Sequence, residues 1–249
     1  MGMKLHKQGR LLTITLDKPD RNNTLDAALL GQLGAALDHA EADPLVRVVA
    51  LCASGAVFCS GADLGGSASC APAQAAQQYF RLLRRFTSSP CIIVALVEGA
   101  VQAGGVGLVA ASDYVICTEA ASFRLPEVLI GLIPACVLPF LIRRLGVHNS
   151  QMLALTAHKI DARRAVELHL ADQLAAQGHE ALRRLVLSVE RIPETAVATL
   201  KQYMGQLAPI TDRDEQLAVA SIVAIMEQPG SLDRTHELIE HGLWGGKTA

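Results

Sequence analysis

Hydrophobic positions change their period several times along the chain. Leu11–Leu16 (LLTITL) is a short β-rich run and predicts a strand. Leu25, Ala28, Leu29, Leu33, Ala36, Leu37 and Ala40 then recur at helical spacing, with Thr24 as the expected N-cap and Asp43–Pro44 as the stop. Val46–Ala53 (VRVVALCA) predicts a buried strand, so strand, helix and strand follow as in a βαβ unit. Ser54–Ala75 is a Gly/Ser/Ala-rich loop holding Gly61, Gly65 and Gly66. A helix from about Ala73 to Ser88 follows, then a strand over Ile92–Val97, a glycine turn, a short apolar helix from Gly105 and a strand over Tyr114–Thr118. From Pro134 onward the chain reads as successive amphipathic helices, broken near Gly146, Gly178, Pro193, Pro209 and Pro229–Gly230. The expected fold class is α/β: repeated β/α units to about residue 130, then a helical layer whose apolar faces suit a neighbouring subunit.

Composition narrows the classes. A chain of 249 residues that is 51% hydrophobic and 18% charged has enough apolar material for a large core, which excludes disorder and collagen-like repeats. Lys plus Arg number 22 against 24 Asp plus Glu, a net charge of -2, so no broad nucleic-acid footprint is expected. The six cysteines (Cys52, Cys59, Cys70, Cys91, Cys117, Cys136) are scattered, without C-x-x-C or metal-ligand spacing, and no metal is expected. Met1–Arg10 is polar and lacks the apolar core of a signal peptide, so a cytoplasmic location is expected. Ile92–Ala111 has the length to span a bilayer. Glu98 would cost roughly 2.5–3.5 kcal/mol there, and four glycines break the run, so a buried strand, turn and helix are expected instead of a membrane span.

Candidate chemistry gathers at two glycine-rich turns, Phe58-Cys59-Ser60-Gly61-Ala62-Asp63-Leu64 and Gly99-Ala100-Val101-Gln102-Ala103-Gly104-Gly105-Val106-Gly107. Turns of this kind present backbone N–H groups, and the helix N-terminus after the second adds unpaired donors. Facing one another, they would form a two-donor oxyanion hole; the alternative is a pair of ordinary tight connections. Gly105–Ala110 also fits G-x-G-x-x-A, which offers a dinucleotide-binding reading. Glu127 lies among apolar residues in Phe123–Gly131, where desolvation would suit it to proton transfer; the alternative is an acid satisfied by donors at a helix start. No P-loop, H-E-x-x-H or G-x-S-x-G motif occurs, and His241 reads as a terminal polar residue. Arg84–Arg85, Arg143–Arg144, Arg163–Arg164 and Arg183–Arg184 are basic pairs, read mostly as solvated faces with one or two free for a phosphate or an acidic partner.

Ile14–Pro19 with Asn22–Leu25, Phe58–Leu64, Glu98–Asp113 and Phe123–Pro134, in this order and spacing, resemble the crotonase (enoyl-CoA hydratase/isomerase) family over nearly the whole chain. The resemblance implies a spiral of ββα units with a C-terminal helical trimerisation region, here a core over 1–190 and helices over 191–249. It also implies a homotrimer or dimer of trimers. It puts the oxyanion donors at the backbone N–H groups of Ala62 and Gly104, which bind the thioester carbonyl. The family's hydratases use two glutamates. One corresponds to Glu127; the other, three residues after the oxyanion glycine, is Gly107 here, which puts ordinary two-glutamate hydration in doubt.

A narrower likeness lies in Gln102–Val109 and in Ile133–Arg144, where Ala-Cys-Val-Leu-Pro-Phe replaces a glycine-rich stretch. It is similar to the dehydratase branch of polyketide β-branching cassettes. Such enzymes convert 3-hydroxy-3-methylglutaryl on an acyl carrier protein into the 3-methylglutaconyl thioester. The resemblance implies Glu127 as the base, no cofactor beyond the phosphopantetheine or CoA that carries the substrate, and an acidic carrier protein as partner, met by a local Arg/Lys patch. An enoyl isomerase working with one glutamate, and a non-catalytic thioester-binding scaffold, stay open beside it.

Overall fold

The computed structural model describes residues 2–63, 72–228 and 230; Leu64, Gly65, Gly66, Cys70, Pro229 and His241 lie outside the described residues. Its strands fall into two sheets. The larger has the order β1 (Met3–Gln8), β2 (Leu11–Leu16), β3 (Val48–Ala53), β5 (Ile92–Val97), β7 (Tyr114–Cys117), β10 (Gln173–Leu174). Only β1 and β2 are antiparallel; every other pairing in this sheet is parallel. The smaller sheet has the order β4 (Val57–Cys59), β6 (Ala100–Gln102), β8 (Ser122–Arg124), β9 (Ile160–Asp161), parallel except at β9.

Chain order shows how the two sheets grow together. β3, β5 and β7 each continue into a short second strand, β4, β6 or β8, that joins the small sheet. After β4 comes α2 (Pro72–Ser88), after β6 α3 (Gly104–Ala111), and after β8 a 3-10 turn and α4 (Leu138–Thr156). These are ββα units, and they match the spiral that the resemblance implies. Parallel strands covered on both faces need near-continuous apolar runs, which Val48–Ala53 and Ile92–Val97 supply.

Several local expectations shift. The strand Met3–Gln8 has no counterpart in the hydrophobic pattern, because five of its six residues are exposed and polar or basic residues dominate it. β4 and β6 fall where the pattern predicts loop or turn, and β9 and β10 fall within the stretch read as successive helices, since strands of two or three residues are too short to show a period. The first helix, α1 (Ala27–Ala42), is capped by Asp26 and not by Thr24. Asp26 Oδ1 accepts from the Leu29 N–H at 2.7 Å, while the Thr24 hydroxyl is buried without a hydrogen-bond partner among the described residues. Thr24 is drawn inward because its neighbour Leu25 pairs with Ala62.

Ile92–Ala111 is divided into β5, β6 and α3, and none of the described helices is long and apolar enough to cross a membrane. Gly105–Ala111 are all buried, so α3 is apolar all round because protein surrounds it. Gly146 kinks α4 at the predicted break. Beyond α5 (Ala162–Glu167) and α6 (Gly178–Val189), α7 (Glu194–Leu207) and α8 (Asp212–Met226) pack on α2. Lys201 of α7 bonds Asp113 at 2.5 Å and the Cys91 carbonyl at 2.8 Å. Glu215 of α8 takes Arg81 at 2.8 Å and Arg84 at 3.3 Å. Glu215 is thus a buried carboxylate held by two cations, and losing both would leave it unpaired.

Two glycines should respond oppositely to alanine. Gly34 lies inside α1 with open space where a methyl would stand, and Gly34→Ala is expected to stabilise by about 0.5–1 kcal/mol. Gly105 lies where α3 crosses β4, and a Cβ there would meet the Cys59 carbonyl at 2.6 Å, so Gly105→Ala is expected to cost about 1–3 kcal/mol. Thermal and urea unfolding of the two variants checks both signs.

Candidate active site

The first glycine turn is held by the segment Asn22–Leu25. Asn23 is fully buried, and its side-chain amide donates to the carbonyls of Ser54 (3.0 Å) and Val57 (2.8 Å) while its carbonyl oxygen accepts from the Lys18 N–H (2.8 Å). That fixes the chain for a short parallel pairing: Ser60 N–H donates to Asn22, Leu25 N–H to Gly61, and Asp63 N–H to Leu25. Because backbone groups alternate sides along an extended chain, the Ala62 N–H between these bonds faces away from Leu25. Arg21 pairs with Asp63 beside it.

The second turn lies directly against the first. Gly61 has φ +87°, and a Cβ there would stand 2.7 Å from Ala103 Cβ and 2.9 Å from Gly104 N. Only a residue without a side chain permits that backbone approach. Ala103, a non-glycine residue, holds φ 48° and ψ -123°, a conformation costing on the order of 1–3 kcal/mol that is found mainly where function requires it. Gly104 then begins α3, where helix geometry gives its N–H no intrahelical partner. The structure therefore brings together the two predicted turns, with Gly104 partly exposed and Ala62 exposed.

Tyr79 of α2 closes one side. Its hydroxyl donates to the Gly104 carbonyl, and burial pushes that hydroxyl well above the ordinary phenol range, with the Cys136 and Cys59 thiols and Glu127 adding to the shift. A Cβ on Gly107 would overlap this hydroxyl. The missing side chain at 107 is plain in the sequence; the residue that fills the gap is not. The available signal is a tyrosine on the apolar face of an amphipathic helix, beside Ala76, Phe80 and Leu83, where a buried hydroxyl needs a partner.

Glu127 opens the 3-10 turn Glu127–Ile130 after Pro126. Its side chain is 5% exposed, and Oε2 is buried without a hydrogen-bond partner among the described residues. Desolvation raises its pKa to about 8; a bond from its own backbone N–H offsets little of this. The alternative of an acid satisfied by several helix-start donors does not match this environment. A carboxyl that ionises near neutral pH can both take and return a proton.

Other candidates resolve differently. Gly105 and Gly107 of the G-x-G-x-x-A match are buried against β4, Tyr79 and Val137, so they serve close packing and not a pyrophosphate cradle. Most of the basic pairs are matched internally: Arg84 with Asp212 and Glu215, Arg85 with Asp38 and Glu41, Arg144 with Asp172, Arg163 with Glu119, Arg164 with Glu167, and Arg183 and Arg184 with Glu180. Cys52, Cys59, Cys91, Cys117 and Cys136 are free and buried.

Relatives carry the same architecture. The chain is 33% identical over 228 residues to the bacillaene synthase dehydratase PksH of Bacillus subtilis, covering 90% of this chain and 85% of that one. It is 34% identical to a putative enoyl-CoA hydratase of Thermus thermophilus, covering 78% and 79%. Among solved structures, that of a putative polyketide biosynthesis enoyl-CoA hydratase (pksH) from Bacillus subtilis superposes with a TM-score of 0.90 at 30% identity, over 97% of this chain and 98% of that one. An enoyl-CoA hydratase from Mycobacterium avium superposes at 0.87 with 30% identity, over 96% of each chain. The sequence profile described as enoyl-CoA hydratase/isomerase spans residues 6–237, taking in both glycine turns, Tyr79 and Glu127. With ββα units, two abutting glycine turns and a buried acid after Pro126, the chain belongs to the enoyl-CoA hydratase/isomerase (crotonase) family.

Proposed function

We propose that this protein is a dehydratase of a 3-hydroxyacyl thioester, with 3-hydroxy-3-methylglutaryl on an acyl carrier protein as its substrate. The observation that carries the reading is the buried carboxyl of Glu127, its Oε2 without a hydrogen-bond partner among the described residues and its pKa raised to about 8, within electrostatic reach of the tyrosine bonded to the Gly104 turn. The N–H groups of Ala62 and Gly104 receive the thioester oxygen. Two positioned donors stabilise charge that develops only as the enolate forms, and one such donor typically contributes roughly 10²–10³-fold to rate.

Glu127 takes the C2 proton, and the C2–H electrons pass into the enolate. The carbonyl then re-forms, the C2–C3 double bond closes, and the C3 oxygen leaves with its bonding pair. The same Glu127 proton converts that oxygen to water, and the carboxylate is restored. The PksH likeness supports the carrier-bound polyketide substrate, and the absence of a carboxylate at Gly107 supports a one-acid cycle. Exposed Leu200, Leu207 and Leu217 on α7 and α8 offer apolar surface to the homotrimer expected for this fold.

Incubation with the loaded carrier protein, followed by intact mass spectrometry, should show loss of one water. Glu127→Gln should abolish that loss with the fold retained by circular dichroism; turnover close to that of the unaltered protein would remove Glu127 from the mechanism. Double-bond migration in an enoyl thioester without water loss would indicate the isomerase. Neither change would indicate the scaffold.

The raised acidity constant also has a pH consequence. As a base Glu127 must be ionised, so kcat is expected to rise with pH through about 8. Stability runs the other way. The folded state holds this proton more tightly than the unfolded chain, whose carboxyl has the ordinary value of 4.5, so its contribution is full below 4.5 and declines as pH climbs toward 8. The decline approaches roughly 1.4 kcal/mol per pH unit within that window. Urea unfolding of Glu127→Gln beside the unaltered protein should show the variant gaining relative stability between about pH 5 and 8.

A further inference from the structure

We propose that the Tyr79 hydroxyl takes the place of the family's second carboxylate, holding the departing C3 oxygen by accepting a hydrogen bond from it beside Gly107. The inference rests on the dehydratase reading above and adds a residue to it.

Three observations converge on this role. A side chain branching from residue 107 would enter the volume that the Tyr79 hydroxyl already fills, so glycine at 107 and tyrosine at 79 form a complementary pair. The one proton of the Tyr79 hydroxyl is committed to the Gly104 carbonyl, so any further hydrogen bond it makes is one that its lone pairs accept. Glu127 adds to the electrostatic field at the same hydroxyl, which puts the acid and the phenol in one electrostatic neighbourhood.

The division of labour follows from the chemistry of a phenol. A carboxylate at 107 would accept a hydrogen bond and could also take a proton. Tyr79 keeps its own proton and accepts only the hydrogen bond. Glu127 alone therefore moves protons: it removes hydrogen from C2, and it delivers that hydrogen to the C3 oxygen as the C3–O bond breaks and water forms. Tyr79 fixes where that oxygen is when the bond breaks.

The alternative role is purely structural, with Tyr79 propping up the Gly104 turn and so the oxyanion donors. The two roles separate in a partition experiment in D2O. Tyr79→Phe removes the hydroxyl and keeps the ring against Leu83 and Gly107. The unaltered protein and the variant are each incubated with 3-hydroxy-3-methylglutaryl on its carrier, and mass spectrometry follows both water loss and deuterium entering the substrate that remains. If Tyr79 holds the leaving oxygen, enolate formation survives while its forward step is slowed. Water loss should fall by roughly 10²-fold, the scale of a lost positioning contact, and deuterium incorporation per water lost should rise by about the same factor.

A parallel fall in exchange and elimination would overturn the proposal in favour of the structural role. Unchanged elimination would overturn it outright, leaving the dehydratase reading intact. If the unaltered protein removes no water, that reading falls first and this proposal with it. Gly107→Ala gives an independent check, since its methyl displaces the hydroxyl while residue 79 stays a tyrosine: it should raise deuterium incorporation per water lost as Tyr79→Phe does, and an unchanged ratio would count against the proposal.

Discussion

The contact between the Gly61 and Gly104 backbones is the constraint around which the rest is arranged. Two main-chain segments approach so closely that Gly61 tolerates no side chain directed at Gly104, and the chain accepts an unfavourable Ala103 conformation to complete the approach. The contact exists because β4 and β6 are neighbours in the small sheet, and each arrives there from a strand of the large one. Repetition of the ββα unit thus delivers two turns of similar build to one seam. Asn23 then secures the first of them through three hydrogen bonds to backbone groups.

Much of this is legible in the chain itself. Long apolar runs reveal β3 and β5, since parallel strands buried on both faces leave no polar alternation to misread. The glycine turns and Glu127 stand out because their residue types carry a backbone or electrostatic demand, but spacing alone leaves ordinary tight connections and a capped acid open, and the family resemblance is what joins them into one site. The small sheet is not, because three residues are fewer than two full periods of a strand. The cap on α1 is ambiguous for a related reason: Thr24 and Asp26 are both good capping residues, and the choice between them is made by Leu25 pairing with Ala62, a contact distant in sequence. Tyr79 stays hidden because its partner, the space above Gly107, is created by a missing side chain on another helix.

Electrostatically the site is economical. Its acid is held toward the neutral form by its apolar surroundings, its tyrosine is kept protonated by burial, and the oxyanion donors proposed at Ala62 and Gly104 are main-chain groups without formal charge. A pocket of this kind stabilises a charge that appears during reaction more than one already present in the bound substrate, which is the condition for lowering a barrier and not merely tightening binding. Holding Glu127 out of water lowers the stability of the folded chain as pH rises, a common accompaniment of functional sites.

α2 meets four parts of the molecule at once: Tyr79 reaches the Gly104 turn, Arg81 and Arg84 reach Glu215 of α8, Arg85 reaches Glu41 of α1, and Lys201 of α7 binds the Phe86 carbonyl near its end. One residue inserted within this helix would turn everything after it by about 100° and advance it by about 1.5 Å. An insertion ahead of Tyr79 would withdraw the hydroxyl from Gly107 and break all three arginine contacts in one event, with no single compensating substitution available. The helix can change residue by residue without disturbing this arrangement. A gain or loss of residues ahead of Tyr79 keeps all four contacts only if it is absorbed before that residue.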